Sequence, residues 1–509
     1  MFRADPPPPR TLGLVATRTC CLKSLHARRD YLTRLGWHVE LLTLDRAVAA
    51  SSGARLLTSE SAGTPFAVPH VHGDGAPEQS DRLRLALEPL AFDVFEFPAR
   101  DGLAFRAMQA RRARLAFLST RLVVRLDHIS ELDRQRQGAW PDDLGELERD
   151  HAERYAFAHA DLQILTDPEM TAHATRLGWT VRPDARALTD DLPADVPPAS
   201  RFTATPRVTV CVPYYNLPCY LPATLESLVQ QTYPHLEVLV IDDGSTQPEA
   251  RAVFDAMQAR YPAFRFLRQD NAGIGATRNR GLREATGTYF LPMDADNIAR
   301  PDMVERFVTA IEQRPDVVAL TCYFLAFATD DDLQRGKYLH AYRPPGGPHV
   351  LAGLRNVYGD ATAIFRTDAF RAVGGYETDR GTSFEDWEAF LKLVHVGGRI
   401  DVIPAHLFYY RHLPAGFSRT TSAFANRQRV LRQFAHLESL SLAERRALLD
   451  LLTGVQLRVE YLTARQRGLR YRLADRLHAL AAAVPLAGPL LRWLTRDGTA
   501  RPPAVRQGD

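Results

Sequence analysis

Leu236-Glu237-Val238-Leu239-Val240-Ile241-Asp242-Asp243-Gly244-Ser245 is the stretch that decides the fold. Leu236–Ile241 is a nearly all-apolar run, as expected of a strand buried on both faces. It stops abruptly in two carboxylates, a glycine and a serine. Polar residues just past a strand C-terminus mark the edge where open α/β sheets bind ligands. The pattern repeats on either side. Upstream, the apolar strand Val208–Val212 runs into Pro213-Tyr214-Tyr215-Asn216, and Tyr220–Gln231 has helical spacing. Downstream come a helix, the strand Phe264–Leu267, the helix Ala276–Ala285 and the strand Tyr289–Met293, which ends in Asp294-Ala295-Asp296. This is a βαβαβ nucleotide-binding pattern.

The flanks are organised differently. Strand-like segments at Thr11–Ala16, Trp37–Leu42, Ala91–Phe97, Arg121–Leu126 and Asp161–Thr166 alternate with helix-like ones. Leu22–Leu35 is one of these, stopped by Gly36. Alternation of this kind predicts a parallel, Rossmann-like α/β sheet over 1–190. The Pro-, Ala- and Asp-rich stretch that follows reads as a linker, placed at 191–206. The strand-bearing module is set at 207–430, a leucine- and arginine-rich helical region at 431–496, and a disordered tail at 497–509. The expected class is α/β with a C-terminal helical segment.

Bulk properties exclude several functions. The 509 residues, 45% of them apolar, suffice for two to four domains. Lys plus Arg number 63 against 60 Asp plus Glu, so no strongly basic nucleic-acid face is expected. The five cysteines show neither zinc spacing nor a disulfide framework, which suits a reducing cytoplasm. The charged, proline-rich start has no apolar core and is not read as a signal peptide. The most apolar stretch, Leu477–Leu494, is broken by His478, Pro485, Pro489 and Arg492, so no bilayer span is expected. Arg465, Arg467, Arg470, Arg472 and Arg476 precede it. They could meet an anionic membrane surface, or be solvated on a packed helical pair.

Three acidic groups carry the chemistry. Asp294 and Asp296 repel each other at a buried strand end unless a cation is near, and hard carboxylate oxygens suit Mg²⁺ or Mn²⁺. A surface turn is the plain alternative. Asp242 and Asp243 either accept from a base-ring N–H or simply cap a helix. Phe384-Glu385-Asp386-Trp387-Glu388 sets carboxylates among bulky apolar groups, suiting a general base; acids complementing a helix N-terminus are the alternative.

Taken in order, these motifs, with Asn271-Ala272-Gly273-Ile274-Gly275-Ala276-Thr277-Arg278 and Gly374-Gly375-Tyr376, resemble glycosyltransferase family 2, inverting enzymes of GT-A fold. The resemblance covers about 207–419. It implies that Tyr215 and Pro213 border the donor base, that Asp243 bonds it and that Asp242 supports the turn. It also implies that Gly273, Arg278, Asp294 and Arg411 line the donor pocket. Asp296, with His412, would hold Mn²⁺ or Mg²⁺, and Asp386 would be the base. Relatives carry Arg-x-His, whereas here His412 directly follows Arg411. The implied partners are a nucleotide-sugar donor, UDP-linked in the commonest case, and a saccharide or lipid-linked saccharide acceptor. The implied place is the cytoplasm, with peripheral contact at the inner face of the plasma membrane through the C-terminal region. The implied role is cell-envelope or exopolysaccharide synthesis. The Gln-x-x-Arg-Trp signature of processive synthases is absent, which favours single additions.

The N-terminal part resembles the N-terminal half of GT-B glycosyltransferases, which is not the half that binds donor; Asp127 and His128 sit at one of its strand ends. No Gly-x-Gly-x-x-Gly follows its first strand, against a dehydrogenase. A nucleotidyltransferase would open with a Gly-rich phosphate loop where this chain has Pro213–Asn216. A non-catalytic sugar-binding scaffold remains the reading from another class.

Overall fold

A computed structural model of the chain describes residues 10–16, 22–57, 75–141, 143–193, 205–413, 416, 420–434, 445, 448–456, 458–459 and 462. Two compact units divide it, Met1–Leu448 and Leu449–Asp509. The first holds two sheets. In the second, residues 449–456 are helical.

The first sheet has seven strands in the order β3-β2-β1-β4-β5-β6-β7, all parallel. They are β1 (Arg10–Val15), β2 (Trp37–Thr43), β3 (Arg55–Leu56), β4 (Val94–Pro98), β5 (Arg121–Leu126), β6 (Leu162–Leu165) and β7 (Arg186–Ala187). Between them run α1 (Leu22–Arg34), α2 (Arg46–Ser52), α3 (Ala76–Leu87), α4 (Phe105–Arg112), α5 (Ser130–Arg136), α6 (Leu144–His159) and α7 (Pro168–Arg176). β4 is buried along its whole length, the mark of a central parallel strand covered on both faces. The five strands expected from the sequence are all present.

The second sheet has nine strands in the order β10-β9-β8-β11-β15-β13-β16-β12, with β14 beside β13. Its elements in chain order are β8 (Val208–Tyr214), α8 (Leu221–Val229), β9 (Leu236–Asp242), α9 (Pro248–Arg260), β10 (Arg265–Arg268), α10 (Ile274–Glu284), β11 (Tyr289–Pro292), β12 (Ile298–Ala299), α11 (Met303–Glu312), β13 (Val317–Phe327), α12 (Asp330–Gln334), β14 (His340–Tyr342), β15 (Ile364–Arg366), α13 (Thr367–Ala372), α14 (Glu385–His395), β16 (Arg399–Arg411) and α15 (Ala423–Gln433). β10, β9, β8 and β11 are parallel, the βαβαβ unit expected from the sequence. β15 runs antiparallel between β11 and β13, and β16 returns parallel to β13. The C-terminal ends of β8, β9, β11, β13 and β16 therefore share one edge. Val210, Val212, Leu225, Val240, Leu291, Phe307 and Leu320 belong to one buried cluster that fixes these elements. Burial of this size is worth roughly 1.5–3 kcal/mol for each large aliphatic side chain.

The two sheets meet through α4. Arg106 is only 1% exposed. Its guanidinium donates to the Arg343 carbonyl (3.2 Å) and the Pro344 carbonyl (3.1 Å). Gln109, one turn on, donates to the Pro345 carbonyl and to Asp401. Arg343 in turn pairs with Glu78 of α3 at 2.9 Å, and Arg355 pairs with Glu148 of α6. The segment 343–355 is thus a strap on the second sheet held by the first.

No helix among the described residues is long and apolar enough to cross a membrane. The Leu477–Leu494 stretch, the arginines before it, the 194–204 part of the linker and the tail lie outside the described residues.

Candidate active site

Strand alternation sets the first wall. Tyr214 points inward, its hydroxyl donating to the Ala250 carbonyl at 2.9 Å, so Tyr215 must point out and is 43% exposed. Asn216 then binds the β8 loop to the β9 loop. Its side-chain oxygen accepts from the backbone N–H of Thr246 and Gln247.

At the end of β9, Asp242 accepts from Ser245 N at 2.9 Å and holds the turn. Gly244 has φ 72°, and a Cβ there would meet Asn271 N at 2.7 Å, so the turn demands glycine. Both Asp243 oxygens are engaged: Oδ1 accepts from Gln269 Nε2 (2.7 Å) and Ala272 N (2.8 Å), Oδ2 from Gly273 N (2.9 Å). Asp243 thus pins the loop that leads into α10. Gly273 has φ 91°, and Gly275 packs so closely on residue 377 that a Cβ would lie 2.4 Å from the Glu377 carbonyl oxygen.

Arg278 connects the two acidic motifs. Buried to 1% exposure, it reaches Asp294 Oδ1 with Nη2 at 2.5 Å and Glu385 Oε1 with Nη1 at 2.6 Å. It thus ties the end of β11 to the start of α14. Arg411 acts similarly from β16. It is buried, donates from Nε to the Asp296 carbonyl (3.0 Å), pairs with Asp330 (2.7 Å), and stacks over Tyr220 and Phe327. Its guanidinium fixes the backbone of the Asp294–Asp296 turn. The His412 ring lies edge-on to His340, with centroids 6.1 Å apart, and the His412 backbone N–H donates to the Phe327 carbonyl.

The three carboxylates of Glu385-Asp386-Trp387-Glu388 separate by partner. Glu385 pairs with Arg278; Glu388, fully buried, pairs with Arg429 at 2.5 Å and Arg432 at 2.7 Å of α15. Asp386 has no ion pair among the described residues. It accepts from Trp387 N at 2.7 Å in the first turn of α14, where the helix dipole favours an anion. Burial first, then Glu385 and Asp360, push its pKa up to about 8. Trp387 Nε1 donates to the Ala352 carbonyl (2.7 Å), so the strap held by α4 also supports this helix start.

Asp360 is a site residue that the motif reading missed. It follows Tyr358-Gly359, and one oxygen accepts from Thr362 N at 2.9 Å. Its charge is felt at both Asp296 and Asp386, so it lies near each of them. No periodic or spacing signal marks it in the sequence. Asp296 is raised to about 7, by burial and then by Asp294. Asp296, Asp360 and Asp386 have no ion pair among the described residues, while Asp294 is paired, and Asp360 raises the pKa of both other carboxylates. Such a set fits a cation. No group of three or more His, Cys, Asp or Glu side chains among the described residues could hold one alone.

Residues 209–374 match the family model for glycosyl transferase family 2. The match covers about a third of the chain and falls on the second sheet and its acidic motifs, so this module is similar to family 2 glycosyltransferases. Over 117 residues it is 38% identical to the uncharacterized glycosyltransferase YibD of Escherichia coli K12, covering 23% of this chain and 34% of that protein. Over 120 residues it is 34% identical to glycosyltransferase GlyA of Streptococcus pneumoniae, covering 23% and 17%. The chain thus spans about a third or less of the length of these curated relatives. Among solved structures, a mannosyltransferase from Pyrobaculum calidifontis in complex with GDP-Man and Mn²⁺ aligns over 52% of this chain and 81% of its own, at 21% identity and TM-score 0.36. Staphylococcus aureus TarS (residues 1–349) in complex with UDP-GlcNAc aligns over 49% and 72%, at 18% identity and TM-score 0.38.

Proposed function

We propose that the protein transfers a sugar from a nucleotide-diphosphate donor to an acceptor hydroxyl, with inversion, using Asp386 as the base. The observation that carries this reading is the division of labour among the acids of one cleft. Glu385, Glu388 and Asp294 are neutralised by arginines, which leaves Asp386 without an ion-pair partner among the described residues at a helix start. An unpaired, half-buried carboxylate with a raised pKa is a competent proton acceptor near neutral pH.

The donor nucleoside would lie on the exposed face of Tyr215, along the loop that Asp243 pins. Asp296, with His412 as the second candidate ligand, would hold Mn²⁺ or Mg²⁺, and the ion would supply countercharge for the diphosphate. Arg278 and Arg411 keep the Asp294–Asp296 turn in place. Asp386 would take the acceptor hydroxyl proton as that oxygen attacks the anomeric carbon opposite the diphosphate. One displacement inverts the centre. The acceptor would be a saccharide or lipid-linked saccharide, and the setting cell-envelope or exopolysaccharide synthesis in the cytoplasm, with membrane contact through the C-terminal region.

Thermal-shift binding of uridine, guanosine, thymidine and cytidine diphosphates, with and without Mn²⁺, tests the donor site. Manganese-dependent stabilisation by one of them, lost in Asp296→Ala, is expected. No stabilisation by any would favour a sugar-binding scaffold.

A further inference from the structure

An open cavity of about 570 Å³ lies where α4 and the α6–β6 turn of the first sheet meet the end of α11 in the second. It is not part of the acidic cleft. β13 starts at Val317 and β16 at Arg399, beside this cavity, and both end at the opposite edge, where Arg411 holds Asp296. An 11-residue strand is roughly 35 Å long.

Five arginines line the cavity: Arg111, Arg112, Arg114, Arg182 and Arg314. Their partners are too few. Arg111 pairs with Asp161 and Arg182 with Asp184. Arg112 and Arg314 share one carboxylate, Asp401, at 3.5 and 2.6 Å. Arg112 also lies 3.8 Å from Asp316, but Asp316 is already held by Arg399 at 2.9 Å. Arg114 has no side-chain hydrogen bond or ion pair among the described residues. Six arginines, counting Arg399, face four aspartates, an excess of two positive charges. The Nη2 atoms of Arg112 and Arg314 are buried and have no hydrogen-bond acceptor among the described residues, and Arg314 is only 4% exposed. His159, in the same lining, is held neutral: burial first, then Arg112, pulls its pKa down to about 4, although Asp401 works the other way. Gathering like charge at a domain seam is unfavourable unless an anion joins it.

We propose that this cavity is a binding site for a phosphate dianion, free or carried on a small molecule, held by Arg112, Arg114 and Arg314 across the seam between the two sheets. Two charges match the excess, and guanidinium groups suit phosphate oxygens. A cavity of this size falls in the range of small-molecule sites. Because α4 also carries Arg106, the strap's anchor, an anion here would tighten the element that supports the active-site wall.

The test is calorimetric titration of the full-length protein with inorganic phosphate and with pyrophosphate. EDTA is present throughout, so that no metal-assisted binding in the acidic cleft contributes, and ionic strength is fixed with sodium chloride. Saturable binding of one equivalent is expected, weakened about tenfold in Arg114→Asn. Asparagine is chosen because residue 114 has φ 57°, which it tolerates. Asp296→Asn should bind phosphate like the wild type. Three results would overturn the proposal: no saturable binding, equal affinity in Arg114→Asn, or equal binding of sulfate and chloride, which marks an adventitious ion only. Loss of binding in Asp296→Asn would also overturn it by placing the anion in the acidic cleft. None of these readouts depends on transferase activity.

Discussion

Arg278 Nη2 stands 2.5 Å from Asp294 Oδ1, with the whole guanidinium out of water. Its other branch holds Glu385, so one side chain fixes the distance between the Asp294–Asp296 turn and the start of α14. Breaking a buried pair by removing one partner leaves an uncompensated charge, at about 3–5 kcal/mol. Arg278→Met should therefore lower the melting temperature by several degrees and abolish turnover. Arg278→Lys, a point charge that cannot span both carboxylates, should keep much of the stability but little of the activity. Thermal denaturation and turnover measured side by side check this; full activity in Arg278→Lys would contradict it.

Asp386 must lose its proton to act. Its pKa is raised to about 8 against an ordinary 3.8, so turnover should climb with pH and show an inflection near 8 rather than near 4. Asp360 is one of the like charges that raise it. Asp360→Asn should therefore move the inflection to lower pH, since removing a neighbouring anion favours ionisation. A pH–rate profile that is flat from pH 5 to 9, or unmoved by Asp360→Asn, would speak against this assignment.

α10 lies against β8 with no room to spare. A Cβ at Gly281 would sit 2.2 Å from Cys211 Sγ, and Cys211 is fully buried. Gly281→Ala should destabilise by about 1–3 kcal/mol, despite alanine's better helix propensity. Urea denaturation reads this directly; a variant as stable as the wild type would mean that α10 sits further from the sheet.

The Arg106 guanidinium is the main tie between the first sheet and the strap 343–355. Arg106→Ala should raise hydrogen exchange in 343–355 and in the first turn of α14, which Trp387 anchors to the Ala352 carbonyl. β8 should keep its protection. Unchanged exchange at α14 would show that the strap is not coupled to the base.

Much of this was legible where the signal is local. The apolar runs ending in polar residues, acids in the case of β9 and β11, gave β8, β9 and β11 and their shared edge, and the alternation before residue 190 gave a parallel sheet. Boundaries moved by one to three residues: the helix read as Ala276–Ala285 is Ile274–Glu284, because glycine at 273 opens the helix earlier. Less legible were relationships that only tertiary packing creates. Asp386 could not be told from Glu385 and Glu388 by spacing, since what distinguishes it is that its neighbours take Arg278 and Arg429. Asp360 sits in an irregular segment with no period to betray it. Arg106 and Pro344 are 238 residues apart, so nothing in either segment points to the other.

The central claim is that Asp386 is the base of a nucleotide-sugar transferase. The most direct measurement is release of nucleoside diphosphate from a panel of sugar nucleotides with Mn²⁺, by wild type and Asp386→Asn, with donor KM determined for each. The account predicts release from one donor, with kcat in the variant lower by about 10²–10⁴ and an unchanged KM. Release by Asp386→Asn at the wild-type rate, or none from any donor by the wild type, would contradict it.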